Sequence, residues 1–254
     1  MKLGLVTYNM ARDWDVPTLI ENCRATRFEA VELRTTHAHG VEPSLSAAER
    51  QAIRRQFEGS GVRLLSLGTA CEYDSPDPEI VRRQIAETRE FVRLGHDLGC
   101  LGVKVRPNGL HEKEGVPKAQ TLAQIGRALA ECGEFAGEYG IEIWVEAHGA
   151  GTQLPQNMRA IMEAADHPNV FVCWNSNATD VVDGSIRPSF ELLKRWIRSV
   201  HITELYNEAY PWRELFTLLR ELGYDRYTLA EIPGSSDPER VLRYYQALWR
   251  ELAG

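Results

Sequence analysis

No stretch of this chain approaches the roughly eighteen consecutive apolar residues that a membrane-spanning helix needs, so no membrane partner is expected. The first residues, Met1-Lys2-Leu3-Gly4-Leu5-Val6-Thr7-Tyr8, are too short an apolar run for a signal peptide and lead to no small-residue cleavage pattern. Cysteine is sparse and unpatterned. The five (Cys23, Cys71, Cys100, Cys132 and Cys173) are odd in number and lack CxxC spacing, so they read as small buried hydrophobes of a reducing compartment, and a cytoplasmic location is expected. Positive charge is also short: 29 Lys and Arg against 36 Asp and Glu give a net charge of −7, and no basic block interrupts that average. Such a surface offers nothing to neutralise phosphates, so nucleic acid is not an expected partner. A GxGxxG turn is missing too, which weakens an open dinucleotide-binding sheet as the fold.

What is present is a long alternation of strand and helix signals. With 254 residues, 43% hydrophobic and 26% charged, the chain can bury one sizeable core, and a single domain over residues 1–254 is the simplest division. Strands are expected at Lys2 to Tyr8, Glu29 to Arg34, Val62 to Leu67, Leu101 to Pro107, Ile141 to His148, Val170 to Asn175, Ser199 to Glu204 and Tyr227 to Ile232. Between them, apolar residues recur at helical spacing: Leu19, Ile20 and Cys23; Val81, Ile85, Thr88 and Val92; Leu122, Ile125, Leu129, Cys132 and Ala136. Further along, Trp212, Leu215, Phe216, Leu219 and Leu222 mark a core-facing helix, and Val241, Tyr245, Leu248 and Leu252 mark the last one. Ser46 and Glu49 have capping-box spacing, and Asp77-Pro78 and Asp237-Pro238 each read as an N-cap followed by the first helical residue. Eight strands alternating with helices at this length point to an α/β fold, a closed (β/α)8 TIM barrel.

The stretch Ile141-Glu142-Ile143-Trp144-Val145-Glu146-Ala147-His148-Gly149 organises the rest. Glu146 ends an apolar strand, and His148 stands two residues on, where a strand would place it on the same face. A carboxylate at the end of a core strand needs an ion pair, a metal or a catalytic task. In a barrel, groups at the C-terminal strand ends share one mouth. Glu146, Asn175, His201 and Glu231 fall on four successive strand ends, separated by 29, 26 and 30 residues. A carboxylate, an amide, an imidazole and a second carboxylate suit one divalent ion: Mn²⁺, Mg²⁺, Co²⁺ or Zn²⁺.

The segments Trp144-Val145-Glu146-Ala147-His148, Cys173-Trp174-Asn175-Ser176-Asn177, Val200-His201-Ile202-Thr203-Glu204 and Ala230-Glu231-Ile232 resemble the xylose-isomerase-like TIM-barrel superfamily of sugar-phosphate isomerases, ketose 3-epimerases and inosose dehydratases. The resemblance spans essentially the whole chain and specifies the superfamily better than the reaction. It implies a metal held by Glu146, Asn175, His201 and Glu231, with Glu146 and Glu231 as the catalytic acid and base of an isomerase or epimerase acting on a small carbohydrate. Asn175 departs from the pattern, which carries Asp there; the amide lowers the formal ligand charge from −3 to −2. Asn177 or Asp180 would be a substitute ligand, and a metal-dependent lyase or a sugar-binding barrel without catalysis are the other readings. The related endonuclease branch needs more strand-end histidines than are present.

Around that centre, His148 either meets substrate, orients Glu146 or packs. His37 and His39, in the loop after strand two, either line the mouth or are exposed loop histidines, and Glu32 and Glu72, which follow strands two and three, either bind sugar hydroxyls or pair with Lys104 or Arg106. Those two cations, on one face of strand four, are themselves candidate substrate contacts, to an enediolate or a phosphate, or else neutralise the carboxylates inside the barrel. Asn177 and Glu204 are further candidate substrate contacts. The loop Pro233 to Asp237 lies where many barrels grip phosphate, but the charge of Asp237 opposes an anion, so an unphosphorylated sugar or polyol ranks first. Trp14, Trp174 and Tyr206 offer sugar-stacking faces or simple packing, and aromatics near Trp212 and Tyr244 suggest a homo-oligomer or core.

Overall fold

The structure, a computed structural model, describes residues 1–254. Eight parallel strands close into a barrel in chain order: β1 (Lys2–Val6), β2 (Ala30–Arg34), β3 (Arg63–Glu72), β4 (Gly102–Arg106), β5 (Glu142–Glu146), β6 (Val170–Asn175), β7 (Ile197–Ile202) and β8 (Tyr227–Ala230). β1 pairs with β8, Leu5 opposite Ala230, and seals the ring. The helices are α1 (Val16–Thr26), α2 (Ala47–Glu58), α3 (Pro78–Leu98), α4 (Lys118–Glu138), α5 (Pro155–Ala165), α6 (Arg187–Leu193), α7 (Trp212–Glu221) and α8 (Pro238–Ala253). This is the single-domain (β/α)8 barrel that the alternation of signals implies.

The start signals act as their chemistry dictates. Ser46 and Glu49 form a full capping box, Asp77 accepts from the Glu79 amide ahead of α3, and Asp237 accepts from the Arg240 amide ahead of α8. The spacing gave no separate position for α5 and α6, although each carries Pro in its first turn. β3 runs five residues past the expected Leu67, so Cys71 and Glu72 belong to the strand and not to the loop after it. β7 starts at Ile197 and ends at Ile202, leaving Thr203 and Glu204 beyond it. Leu222 caps α7 at its exposed end, and Leu248 is also exposed, whereas Trp212, expected near an association surface, is buried. All five cysteines are buried and unpaired.

Two cores result from the strand alternation. Outward residues of the strands pack under the helices in one large cluster. Inside the barrel, Val6, Ala30, Leu65, Trp144, Cys173 and Leu229 form a separate floor. Glycines make room for it: a Cβ on Gly102 would stand 2.5 Å from the Trp144 ring, and one on Gly4 would stand 2.4 Å from Leu229. A register shift in β3 between the partners of Val31 and Glu32 puts Ser66 beside Glu32, so the interior turns polar above the floor.

Candidate active site

Toward the C-terminal ends of the strands the inward positions turn polar. They are Glu32 on β2, Lys104 on β4, Glu146 on β5, Asn175 on β6, His201 on β7 and Glu231 one residue past β8. Glu32, Lys104, Glu146 and His201 are buried; Glu231, with 15% of its side chain exposed, opens onto the mouth. Glu32 therefore lies inside strand two, and its Oε2 accepts from Ser66 Oγ at 2.8 Å. Its Oε1 lies 3.2 Å from His201 Nε2. On the other side of the ring, His201 Nδ1 stands 3.8 Å from Glu146 Oε1 and 3.5 Å from Glu231 Oε2. The Lys104 ammonium donates to Glu146 Oε2 at 2.7 Å, and Asn175 Nδ2 donates to Glu146 Oε1 at 3.1 Å.

Burial alone would push the Glu146 carboxyl up, but Lys104 and His201 outweigh it and hold the group well below the usual carboxylate range. The same contest leaves Glu32 lowered: burial raises it, and His201 and Lys104 prevail. Lys104 is pulled down by burial and lifted further by Glu146 and Glu32, so it stays an ammonium. Glu146 is thus held as a carboxylate, the state a metal ligand requires.

Glu146, His201 and Glu231 offer ligand atoms that all lie within 4.8 Å of one another, a spread that small side-chain rotations close around one ion with bonds of about 2.0–2.3 Å. Both His201 nitrogens are buried without a hydrogen-bond partner, and an ion bound at Nδ1 would satisfy one of them. Glu32 Oε1 stands 3.2 Å behind Nε2, short of hydrogen-bond geometry but placed as the carboxylate that a metal-facing imidazole uses for orientation. Asn175, the fourth expected ligand, lies beside this cluster with its Nδ2 on Glu146, and a half-turn of the amide would turn Oδ1 inward instead. The donor set therefore fits a divalent ion.

The sequence matches the family model of the xylose isomerase-like TIM barrel over residues 20–252. The chain belongs to this family. Solved structures repeat the fold at low identity. A D-psicose 3-epimerase determined in the presence of D-fructose matches with a TM-score of 0.82 at 18% identity, covering 100% of both chains. The 3-keto-D-glucoside 4-epimerase YcjR from E. coli matches at 0.81 and 13%, covering 99% of each chain. The IolI protein with a bound zinc atom matches at 0.77 and 17%, covering 99% of this chain and 96% of its own. A search of curated proteins finds no match. At these identities the likeness is one of fold.

In this xylose isomerase-like barrel the remaining expected residues divide by what they touch. Arg106 pairs with Glu72 at 2.5 Å, so the strand-three carboxylate is balanced by strand four at the rim. His148 lies past the end of β5, half-buried, with Nδ1 enclosed and without a partner; burial keeps its ring below the usual histidine range and therefore neutral. His37 is half-buried near Thr7, whereas His39 is committed to its loop, with Nε2 on the Arg34 carbonyl and Nδ1 accepting from the Val41 amide. Asn177 Nδ2 is tied to the Ala147 carbonyl and joins the loops after β5 and β6. Glu204 is half-buried past β7, and burial raises its carboxyl. Trp174 faces outward against Phe190 and donates to Tyr210, so it has no sugar-facing side. Tyr206 is exposed on the loop after β7.

Arg34 is a mouth residue that the reading of the sequence passed over. Its guanidinium lies over the Tyr8 ring, 5.2 Å from the centroid, and 3.7 Å from Glu231 Oε1. The signal was available, because Arg34 stands two residues after Glu32 on the same strand and so shares its face. Asp74 and His111, 3.0 Å apart across the loops after β3 and β4, were likewise not foreseen, since nothing local links positions so far apart in sequence.

Asp180 takes no part in the ligand cluster. It is buried, accepts from the Asn177 amide and the Tyr210 hydroxyl, and its carboxyl is pushed up to about 7 by burial, against the pull of those hydrogen bonds. Between its unfolded value near 3.8 and about 7, the folded chain holds a proton there that the unfolded chain has lost. Stability from this group is therefore complete below pH 3.8 and is lost as the pH climbs to about 7. Asp180→Asn should flatten that decline, so that its melting temperature gains on the natural protein from pH 4 to pH 7 and runs parallel above; thermal unfolding across that range checks it.

Proposed function

We propose that this protein is a metal-dependent isomerase or epimerase of a small, unphosphorylated sugar or sugar derivative. The observation that carries the reading is the convergence of Glu146, His201 and Glu231 around a buried imidazole nitrogen that lacks any partner. Glu146, His201, Glu231 and, with its amide turned, Asn175 would hold the ion. When bound, a divalent ion supplies Lewis-acid polarisation of a substrate carbonyl.

The chain's own groups account for the rest. Glu146 and Glu231 enter from β5 and from the end of β8, three strands apart around the ring, so they flank whatever occupies the mouth. One carboxylate takes the proton from the carbon beside the carbonyl and the other returns one. Return to the opposite face of that carbon epimerises it, and return to the neighbouring atom isomerises the sugar. Arg34 beside Glu231, His148 with its unpartnered nitrogen and the Arg106–Glu72 pair supply donors and acceptors for hydroxyl groups at the rim. The Trp144 and Leu229 floor closes the barrel beneath and keeps water out from below. Asp237 caps α8 with its carboxylate, where a phosphate would otherwise bind, which favours a neutral substrate. Support also comes from relatives of the same fold: two are sugar epimerases by name, and a third carries zinc.

Incubating candidate ketoses and keto-sugars with the protein and Mn²⁺ in deuterated water tests the reading. Gain of one carbon-bound deuteron without loss of water is the expected result. Loss of water would make the protein a lyase on the same site, and no exchange with any sugar would sink the proposal.

A further inference from the structure

Lys104 is not required by acid–base chemistry at Glu146 and Glu231, and yet it is the most deeply placed cation in the molecule. Its side chain is 2% exposed, on β4, inside the barrel. Desolvating an ammonium costs more than a nearby apolar residue would, so its presence needs a compensating gain. The surrounding charges supply one. Glu32, Glu146 and Glu231 bring three carboxylates together inside the barrel, and Lys104 is the only fixed cation buried among them. With His201 neutral, as a metal ligand must be, the three carboxylates still outnumber Lys104 and the rim cation Arg34, an excess of negative charge that a divalent ion offsets. Asn175 matters to the same balance, since an acidic residue there would add a fourth carboxylate.

The contact is also directional. Lys104 takes Glu146 Oε2, and this leaves Oε1 turned toward Asn175 at 3.1 Å and toward His201 Nδ1 at 3.8 Å, the corner where the ligand atoms meet. We propose that Lys104 is the resident cation of the site: it aims Glu146 Oε1 at the divalent ion and keeps the barrel folded when that ion is absent, at the expense of weaker ion binding. Lys104 is thus a positioning residue acting through Glu146. The inference rests on the metal-binding half of the proposed function and not on its sugar chemistry.

The test uses Lys104→Met, the double variant Lys104→Met with Glu146→Gln, and MnCl₂ as probe. Thermal unfolding is measured in chelator and in excess Mn²⁺, and Mn²⁺ affinity by calorimetry. Lys104→Met should melt about 10 °C lower than the natural protein in chelator, as expected for a buried carboxylate stripped of its partner. It should regain most of that loss in Mn²⁺ and bind the ion about tenfold more tightly, because one opposing charge is gone. The double variant should recover the melting temperature in chelator without the tighter binding. An equal loss of stability with and without Mn²⁺, at unchanged affinity, would reduce Lys104 to a structural ion pair and overturn the inference. If Lys104→Met does not fold in chelator, its refolding on addition of Mn²⁺ supports the inference and failure to fold with the ion present overturns it. Mn²⁺ binding by Lys104→Met but not by the natural protein would sustain the role of Lys104 and defeat the metal-dependent reading of the natural chain. Binding by neither would defeat both.

Discussion

Glu231→Gln is expected to abolish turnover, by about three orders of magnitude or more, while the protein melts within a few degrees of the natural chain. The side chain is partly open at the mouth, with His201 Nδ1 at 3.5 Å and Arg34 at 3.7 Å, and the amide occupies the same space, so little packing changes. Glu146→Gln should remove turnover to the same extent and also cost stability. Its carboxylate is buried against Lys104 at 2.7 Å, and an amide leaves that ammonium without a counter-charge. Breaking a buried pair from one side costs about 3–5 kcal/mol, less here by what the Gln oxygen still accepts. The two variants therefore separate chemistry from folding: equal kinetic defects, unequal melting temperatures. Steady-state rates with near-normal values in either variant would remove that carboxylate from the mechanism.

His201→Ala is expected to eliminate measurable divalent-ion binding, and Glu32→Gln to weaken it about 10–100-fold. The difference follows from their places in the layer. His201 presents Nδ1 to the point where Glu146 and Glu231 converge, whereas Glu32 touches none of that space and stands behind Nε2 at 3.2 Å. Glu32 also holds Ser66, so the amide variant keeps one hydrogen bond and loses the charge that fixes the imidazole. Calorimetric titration with Mn²⁺ or Zn²⁺ reads both. An unchanged affinity in Glu32→Gln would mean that barrel packing alone aims the ring.

How much of the site was legible follows from distance along the chain. Glu146, Asn175, His201 and Glu231 announced themselves because each ends an apolar run at an interval of one strand and one helix, and three of them do converge. Glu32 was visible as a polar residue in a buried strand, but its work behind His201 was not, because β2 and β7 are 169 positions apart between those residues and are not neighbours in the sheet. The pairing of Arg106 with Glu72 was one of the open alternatives, and the extension of β3 to Glu72 selected it. Arg34 carries no such local mark, because an arginine at the end of a strand is as often a solvated rim charge as a site residue.

The sequence by itself determined the order and number of the strands, the caps at Ser46, Asp77 and Asp237, and the strand ends at which polar groups would face one mouth. These are local properties, set by side-chain periodicity and by hydrogen bonds within a few residues. Only the tertiary structure decided which charge meets which: Lys104 with Glu146, Glu32 with His201, Arg34 with Glu231. Strand tilt, the register shift in β3 and the glycines that admit Trp144 fix the height of each side chain in the barrel, and interactions between charges depend on those heights and not on spacing along the chain.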